Sequence, residues 1–258
     1  MENNPDVTGV PVEGAGAAQM NFIQRLAGVY FEPTKTFEDI NRKGSWLGIF
    51  IILSILGMAM SYVANLRIDR ETRIRQGIEM SPIRLSEEQK EAAVKAATEH
   101  PPGIMERFGF VFAPISVLVL NLILAAAFLL MFVLMGGGLT YKKSLTVSFW
   151  AMAPPGIIMS LVSVVLMFVK DPDKLQIDPS SNVASNLGIL VADQKAHPVL
   201  ASLLTSIDLF SFWSIALLSI GFAAVSDRKM TIKKAATGVL ILWAIWVLGK
   251  AGFKAIFS

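Results

Sequence analysis

The stretch FGFVFAPISVLVLNLILAAAFLLMFVLMGGGLTY, Phe108 to Tyr141, decides the fold, because it contains no charged side chain anywhere along its length. A helix rises about 1.5 Å per residue, so roughly 20 apolar residues cross the ~30 Å hydrocarbon core of a bilayer. Two further runs meet the same criterion, Trp46 to Leu66 and Ser144 to Val169. A fourth, Pro198 to Ser226, carries a single acid, Asp208, and a fifth, Ala235 to Gly249, extends to a rim marked by Lys250 and Lys254. The reading is an all-α integral membrane protein, a bundle of five transmembrane helices at about 46–66, 110–135, 145–169, 199–225 and 235–257.

The whole composition agrees. Of 258 residues, 53% are hydrophobic and 17% charged, and the mean hydropathy is +0.56, outside the range of an ordinary soluble domain. Cysteine is absent, which excludes disulfides, thiolate metal sites and a cysteine nucleophile. The first residues, Met-Glu-Asn-Asn-Pro-Asp, lack the basic and apolar regions of a cleavable leader, so the first span is expected to act as its own insertion signal. The net charge of +3 and pI near 9.1 arise from basic residues beside the spans. The expected counter-charge is therefore anionic lipid, with no nucleic acid involved.

Residues 1–19 are small, acidic and rich in Gly, Ala and Pro, a composition expected to remain disordered. Residues 20–45 then carry Ile23, Leu26, Ala27 and Tyr30 at helical spacing, a stop at Glu32-Pro33, and a second short helix with Phe37 and Ile40. Two placements are open for this pair. The helices lie in the interface with Arg25, Lys35, Arg42 and Lys43 toward headgroups, or they pack against the protein's own loops. Between the first two spans, 67–107 form an extramembrane insert of eight basic and eight acidic side chains with no net charge. Within it, Ser86-Glu87-Glu88-Gln89 is a capping box heading an extramembrane helix that ends before Pro101-Pro102.

The short loops at 136–143 and 226–234 are basic, and the positive-inside rule places Lys142, Lys143, Arg228, Lys229, Lys233 and Lys234 in the cytoplasm, with the N-terminus. Arg67, Arg70, Arg73 and Arg75 just beyond the first span oppose this orientation, although interspersed acids soften the conflict.

Chemistry has few places to reside. An ionisable residue inside a span is a functional candidate, and Asp208 lies roughly 15 Å along the fourth run at helical rise. It is either interfacial, or buried against partners such as Trp213 and Ser211. One carboxylate cannot supply the facing pair of an intramembrane aspartyl protease. His100 and His197 stand apart in loops, so no metal site is expected. Gly136-Gly137-Gly138 lacks the lysine of a phosphate loop and reads as the flexible end of the second span. No cofactor is expected. Pro154-Pro155-Gly156 falls midway along the third run, where consecutive prolines remove two backbone donors and favour a kink or break.

These features together resemble the YIP family, the Ypt/Rab-interacting membrane proteins, and in particular its bacterial branch. The resemblance is carried by Phe22-Ile-Gln-Arg-Leu with Pro33 and Phe37-Glu-Asp-Ile, by the proline-containing third span, and by Leu203 through Gly221 with Ile207-Asp208-Leu209-Phe210, Trp213 and Gly221, followed by Lys234-Ala235. It implies a five-span fold in the cell membrane (a bacterial inner membrane), a cytoplasmic N-terminal region and a role in membrane organisation through protein partners. The Rab partners of eukaryotic relatives do not carry over to a bacterial setting. The first functional expectation is a scaffold or adaptor without enzymatic activity, binding an unknown membrane or cytoplasmic partner and anionic lipid through 20–45 and the basic loops. The second is a small transporter, channel or lipid-moving protein using Asp208 and the Pro154-Pro155 break.

Overall fold

The computed structural model describes residues 19–81, 85–193, 196–226 and 230–257. The expected N-terminal tail up to residue 18, and Arg228 and Lys229 of the basic loops, lie outside the described residues. What is described is helical, with no strand and a single isolated antiparallel bridge between Asn186 and Asp208.

The chain opens with α1 (Phe22–Phe31) and α2 (Pro33–Lys43). The first starts sharply because Asn21 and Gln24 cap each other's backbone N–H groups, the second because Pro33 occupies its first turn, where no donor is missed. Next come α3 (Leu47–Arg67), α4 (Arg70–Met80) and α5 (Glu87–Glu99). Asp69 caps α4 by accepting the Thr72 N–H, and hydrogen bonding from the Thr72 side chain and then its backbone holds the Asp69 carboxyl below the usual carboxylate range. The Ser86 and Gln89 box read from the sequence heads α5 as expected.

A short α6 (Ile104–Phe108) and a 3₁₀ turn (Gly109–Phe112) lead into α7 (Ala113–Leu134), which ends in a Schellman stop. Gly136 has φ +79°, the Gly137 N–H reaches the Phe132 carbonyl at 2.8 Å, and the Gly136 N–H reaches Val133 at 3.0 Å. The glycine triplet is thus a defined helix terminus, because only glycine adopts this left-handed turn freely. α8 (Tyr141–Val169) follows, then a loop with the one-turn α9 (Pro179–Asn182), and finally α10 (Pro198–Ser206), α11 (Leu209–Val225) and α12 (Ile232–Phe257).

Four helical segments are long and apolar enough to cross a membrane: Leu47–Arg67, Glu106–Leu134, Tyr141–Val169 and Ile232–Ile256. α11, with 17 residues, is shorter. Two expectations are corrected here. The fourth run is not one helix, since it breaks at Ile207 and Asp208, where the backbone turns extended and Asp208 becomes the N-cap of α11. The third run is not broken, since α8 continues through Pro154 and Pro155. Both prolines are buried, and Gly156 lets Leu53 of α3 approach to within van der Waals range of where a side chain would begin. Tertiary packing thus carries the helix across the two lost donors.

α11 is the central element, packed against α8, α12 and α2, while α3 and α7 pack on α8 and on each other. Phe132 of α7 stacks on Phe222 of α11 with centroids 4.5 Å apart, and Phe128 packs on the same ring at a tilt, 4.8 Å away. Large apolar side chains such as Ile51, Ile55, Leu120, Leu130, Ile245 and Leu248 point outward instead, as suits helices solvated by lipid. The loops sort to two ends. Asn41, Lys143 and Val225 meet at one, where the Asn41 amide donates to the Ala224 carbonyl at 3.2 Å and Lys143 to Val225 at 3.5 Å. At the other, Arg67 donates to the Met167 carbonyl at 2.9 Å and Gln76 to Leu175 at 2.9 Å.

Gly221 sits where α2, α8 and α11 converge. A Cβ there would fall 2.7 Å from Val147 Cγ1 and 3.0 Å from the Phe37 ring. Replacing Gly221 with leucine is expected to cost about 1–3 kcal/mol by overpacking and to expel Phe37. Thermal unfolding in detergent, with limited proteolysis between residues 22 and 43, checks this.

Candidate functional site

The residues singled out in the sequence separate into a docked N-terminal hairpin with a basic rim, and a clamp around Asp208.

The hairpin is built on a buried ion pair. Arg25 Nε donates to Asp39 Oδ2 at 2.7 Å, with side chains 10% and 6% exposed. Arg25 also reaches the Lys43 carbonyl at 3.4 Å, and Asp39 accepts from the Met20 backbone at 3.3 Å. The helices approach closely at Gly28, where a Cβ would lie 2.3 Å from Thr36 Oγ1. Arg25 therefore does not face headgroups, contrary to expectation. Its charge is consumed inside the hairpin, because Asp39 falls opposite it once Pro33 reverses the chain.

The hairpin packs on the spans rather than on loops. Phe37 and Ile40 are buried in the main core, Phe22 packs on Trp150 at 5.6 Å, and Tyr30 meets Trp213 edge-on at 5.9 Å. That burial raises the Tyr30 phenol. The Trp150 indole donates to the Ser45 carbonyl at 2.9 Å, and Trp46 stacks on Phe149 at 5.3 Å, fixing the link between hairpin and first span. Trp213 and Gly221 are thereby explained as receptors for α1 and α2. Asn41, Trp150 and the Asp39 partner of Arg25 were not singled out from sequence, since their partners lie at separations of 14 to 183 residues.

Lys35, Arg42, Lys43, Lys233 and Lys234 are exposed. Lys35 pairs with Glu32 at 2.9 Å, and that carboxylate holds its ammonium above the usual range. Arg42 and Lys43 close α2, favourably placed at a helix C-terminus. Lys233 and Lys234 open α12, which follows the α11 terminus bonded by Asn41.

Asp208 is half-buried and occupied with structure. Its Oδ2 accepts the Ser211 N–H at 2.9 Å, capping α11, and its Oδ1 accepts the Ser185 hydroxyl. Two backbone bonds, Leu209 N–H to Ser185 O and Leu187 N–H to Ile207 O, both 3.1 Å, complete the clamp. The loop between α8 and α10 thus supplies the partners for a backbone that leaves the helix. Pro154 and Pro155 lie in the unbroken α8 and contribute nothing to this clamp. Among the described residues no cluster of three or more metal-ligating side chains occurs.

The class so defined is a multi-pass helical membrane protein with an N-terminal helical hairpin docked on its bundle. The Yip1 domain family model matches residues 27–253, nearly the whole described chain, and the chain belongs to this family. No curated protein and no solved structure matches it.

Two outcomes check these roles. Arg25→Met is expected to cost about 3–5 kcal/mol by stranding Asp39, most of which the double change with Asp39→Leu restores; a thermal double-mutant cycle measures it. Asp208→Asn keeps an equally good helix cap and is expected to be near neutral, whereas Asp208→Ala costs about 1–2 kcal/mol and speeds proteolysis of the 170–197 loop.

Proposed function

We propose that the protein is a membrane scaffold or adaptor without enzymatic activity, whose working surface is the end of the bundle carrying the docked hairpin. In this reading α10 and α11 together make a fifth crossing, the hairpin end is cytoplasmic, and the membrane is a bacterial inner membrane.

The observation that carries the reading is the buried Phe37, fixed at Gly221 between α8 and α11. A pair of helices of 10 and 11 residues is too short to be stable alone. Anchored in this way, it presents Arg42 and Lys43 rigidly, with Lys142, Lys233 and Lys234 exposed on the adjoining loops. Rigid basic surface beside a bilayer suits an acidic protein partner and anionic headgroups together. The transporter alternative is disfavoured, because its acid is engaged as a helix cap and its expected helix break is an intact helix.

The test is purification of the full chain in nanodiscs from its native membrane, followed by mass spectrometry of what accompanies it and reconstitution with the purified partner. A stoichiometric partner is expected, lost when Arg42, Lys43, Lys233 and Lys234 are all changed to Gln and retained in Asp208→Asn. Retention of the partner by the quadruple variant contradicts the surface. Cation-coupled flux abolished by Asp208→Asn contradicts the scaffold.

A further inference from the structure

At the end of the bundle opposite the hairpin base, a cleft of about 340 Å³ lies between the last turns of α3, the start of α4, the α6 turn and the loop after α8. Ser61, Asn65, Arg73, Ile74, Phe110 and Ile177 form most of its wall, which Glu106 also lines.

Its electrostatics are unbalanced. The Glu106 carboxylate is taken up by Arg70 in a bidentate pair, Nε to Oε1 at 2.6 Å and Nη2 to Oε2 at 3.0 Å. Arg70 is further tied to the carbonyls of Ala97, Thr98 and His100. Arg73 is left with a neutral partner, since its Nη1 donates to the Asn65 side-chain oxygen, and its side chain lines the cleft. A guanidinium that lines a cleft and hydrogen-bonds to a neutral amide suits an anion, and the planar fork of arginine matches a tetrahedral oxyanion well.

The apolar part of the cleft identifies the carrier of that anion. Ile74, Phe110 and Ile177 form its greasy wall, and Phe110 packs edge-on against Tyr62 at 5.6 Å. Phe110 stands at the beginning of the apolar segment Glu106–Leu134, while Ser61 and Asn65 occupy the last turns of the apolar α3. Both mark the level at which spans meet headgroups. A soluble phosphate has no use for such a wall, whereas a lipid places its phosphate and glycerol at this height and its acyl chain alongside.

We infer that this cleft is a binding site for an anionic phospholipid, with the phosphate received by Arg73 and the first acyl carbons laid against Ile74 and Phe110. It is separate from the basic hairpin surface and does not depend on the scaffold reading. It also gives a role to Arg73, one of the arginines beyond the first span that run against the positive-inside rule.

The experiment is native mass spectrometry of the detergent-purified full chain with dioleoyl phosphatidylglycerol, dioleoyl phosphatidylcholine, or phosphatidylglycerol challenged by millimolar inorganic phosphate. Wild type is expected to prefer phosphatidylglycerol by about tenfold, equivalent to ~1.4 kcal/mol, and to keep it in the presence of phosphate. Arg73→Gln should abolish the preference, and Ile74→Trp, which fills the cleft and leaves every charge in place, should weaken lipid binding by a similar factor. The Arg42→Gln/Lys43→Gln double variant should keep the component of phosphatidylglycerol binding that Arg73→Gln removes. Unchanged binding in Ile74→Trp and in a folded Arg73→Gln overturns the assignment. So does loss confined to the Arg42/Lys43 variant, which would put the lipid at the other end, and so does displacement by inorganic phosphate, which would mark a site for a free anion.

Discussion

The structure depends on the burial of Arg25 against Asp39. Two opposite charges leave water together only when their hydrogen-bonding geometry is good, and breaking such a pair is far more costly than keeping it. Here the pair holds α1 against α2, the Gly28 and Thr36 contact draws the helices together, and the resulting hairpin delivers Phe37 to a gap that exists only because residue 221 has no side chain. The bundle then acquires a feature unusual for short amphipathic helices, which is packing on the spans themselves. Asn41 and Trp150 secure the two edges of that contact through backbone carbonyls.

The same economy of polar groups governs the rest of the bundle. Hydroxyls on the helices return to carbonyls one turn earlier, as Ser148, Ser214 and Ser219 do, while Ser144 of α8 crosses to Ala125 of α7 at 2.7 Å. In an apolar medium a backbone that leaves the helix needs replacement partners. At Asp208 they are supplied by Ser185 and its neighbours, and the acid itself starts α11 as its N-cap. At Pro154 and Pro155 the chain stays helical, held by burial on both sides.

Much of this was legible in the sequence. Charge-free runs located α3, α7, α8 and α12 to within a few residues, and the Ser86 and Gln89 box located α5, because these signals are local. The family was legible too, since its model matches residues 27–253. The roles of Asp208, Trp213 and Gly221 were not legible. Arg25 looked like a headgroup ligand since nothing within one helix shows that Asp39 will face it. The prolines allowed a kink or a break, and the neighbours among which α8 continues through them are distant in sequence. Ser185 carried no signal, its partner being 23 residues away. The arginine-rich start of the insert conflicted with the charge rule, and its sense emerged only once Glu106 was seen to satisfy Arg70 and not Arg73.

The measurement that bears most directly on the account is hydrogen–deuterium exchange of the intact protein in nanodiscs, followed at the amides of residues 25–43. Helices this short cannot protect their own amides, so protection there reports docking alone. With the hairpin docked, these amides exchange as slowly as those of α8 and α11 that they cover. Exchange within seconds at 25–43, with α8 and α11 still protected, would mean that the hairpin is not part of the folded core and would contradict the account at its centre.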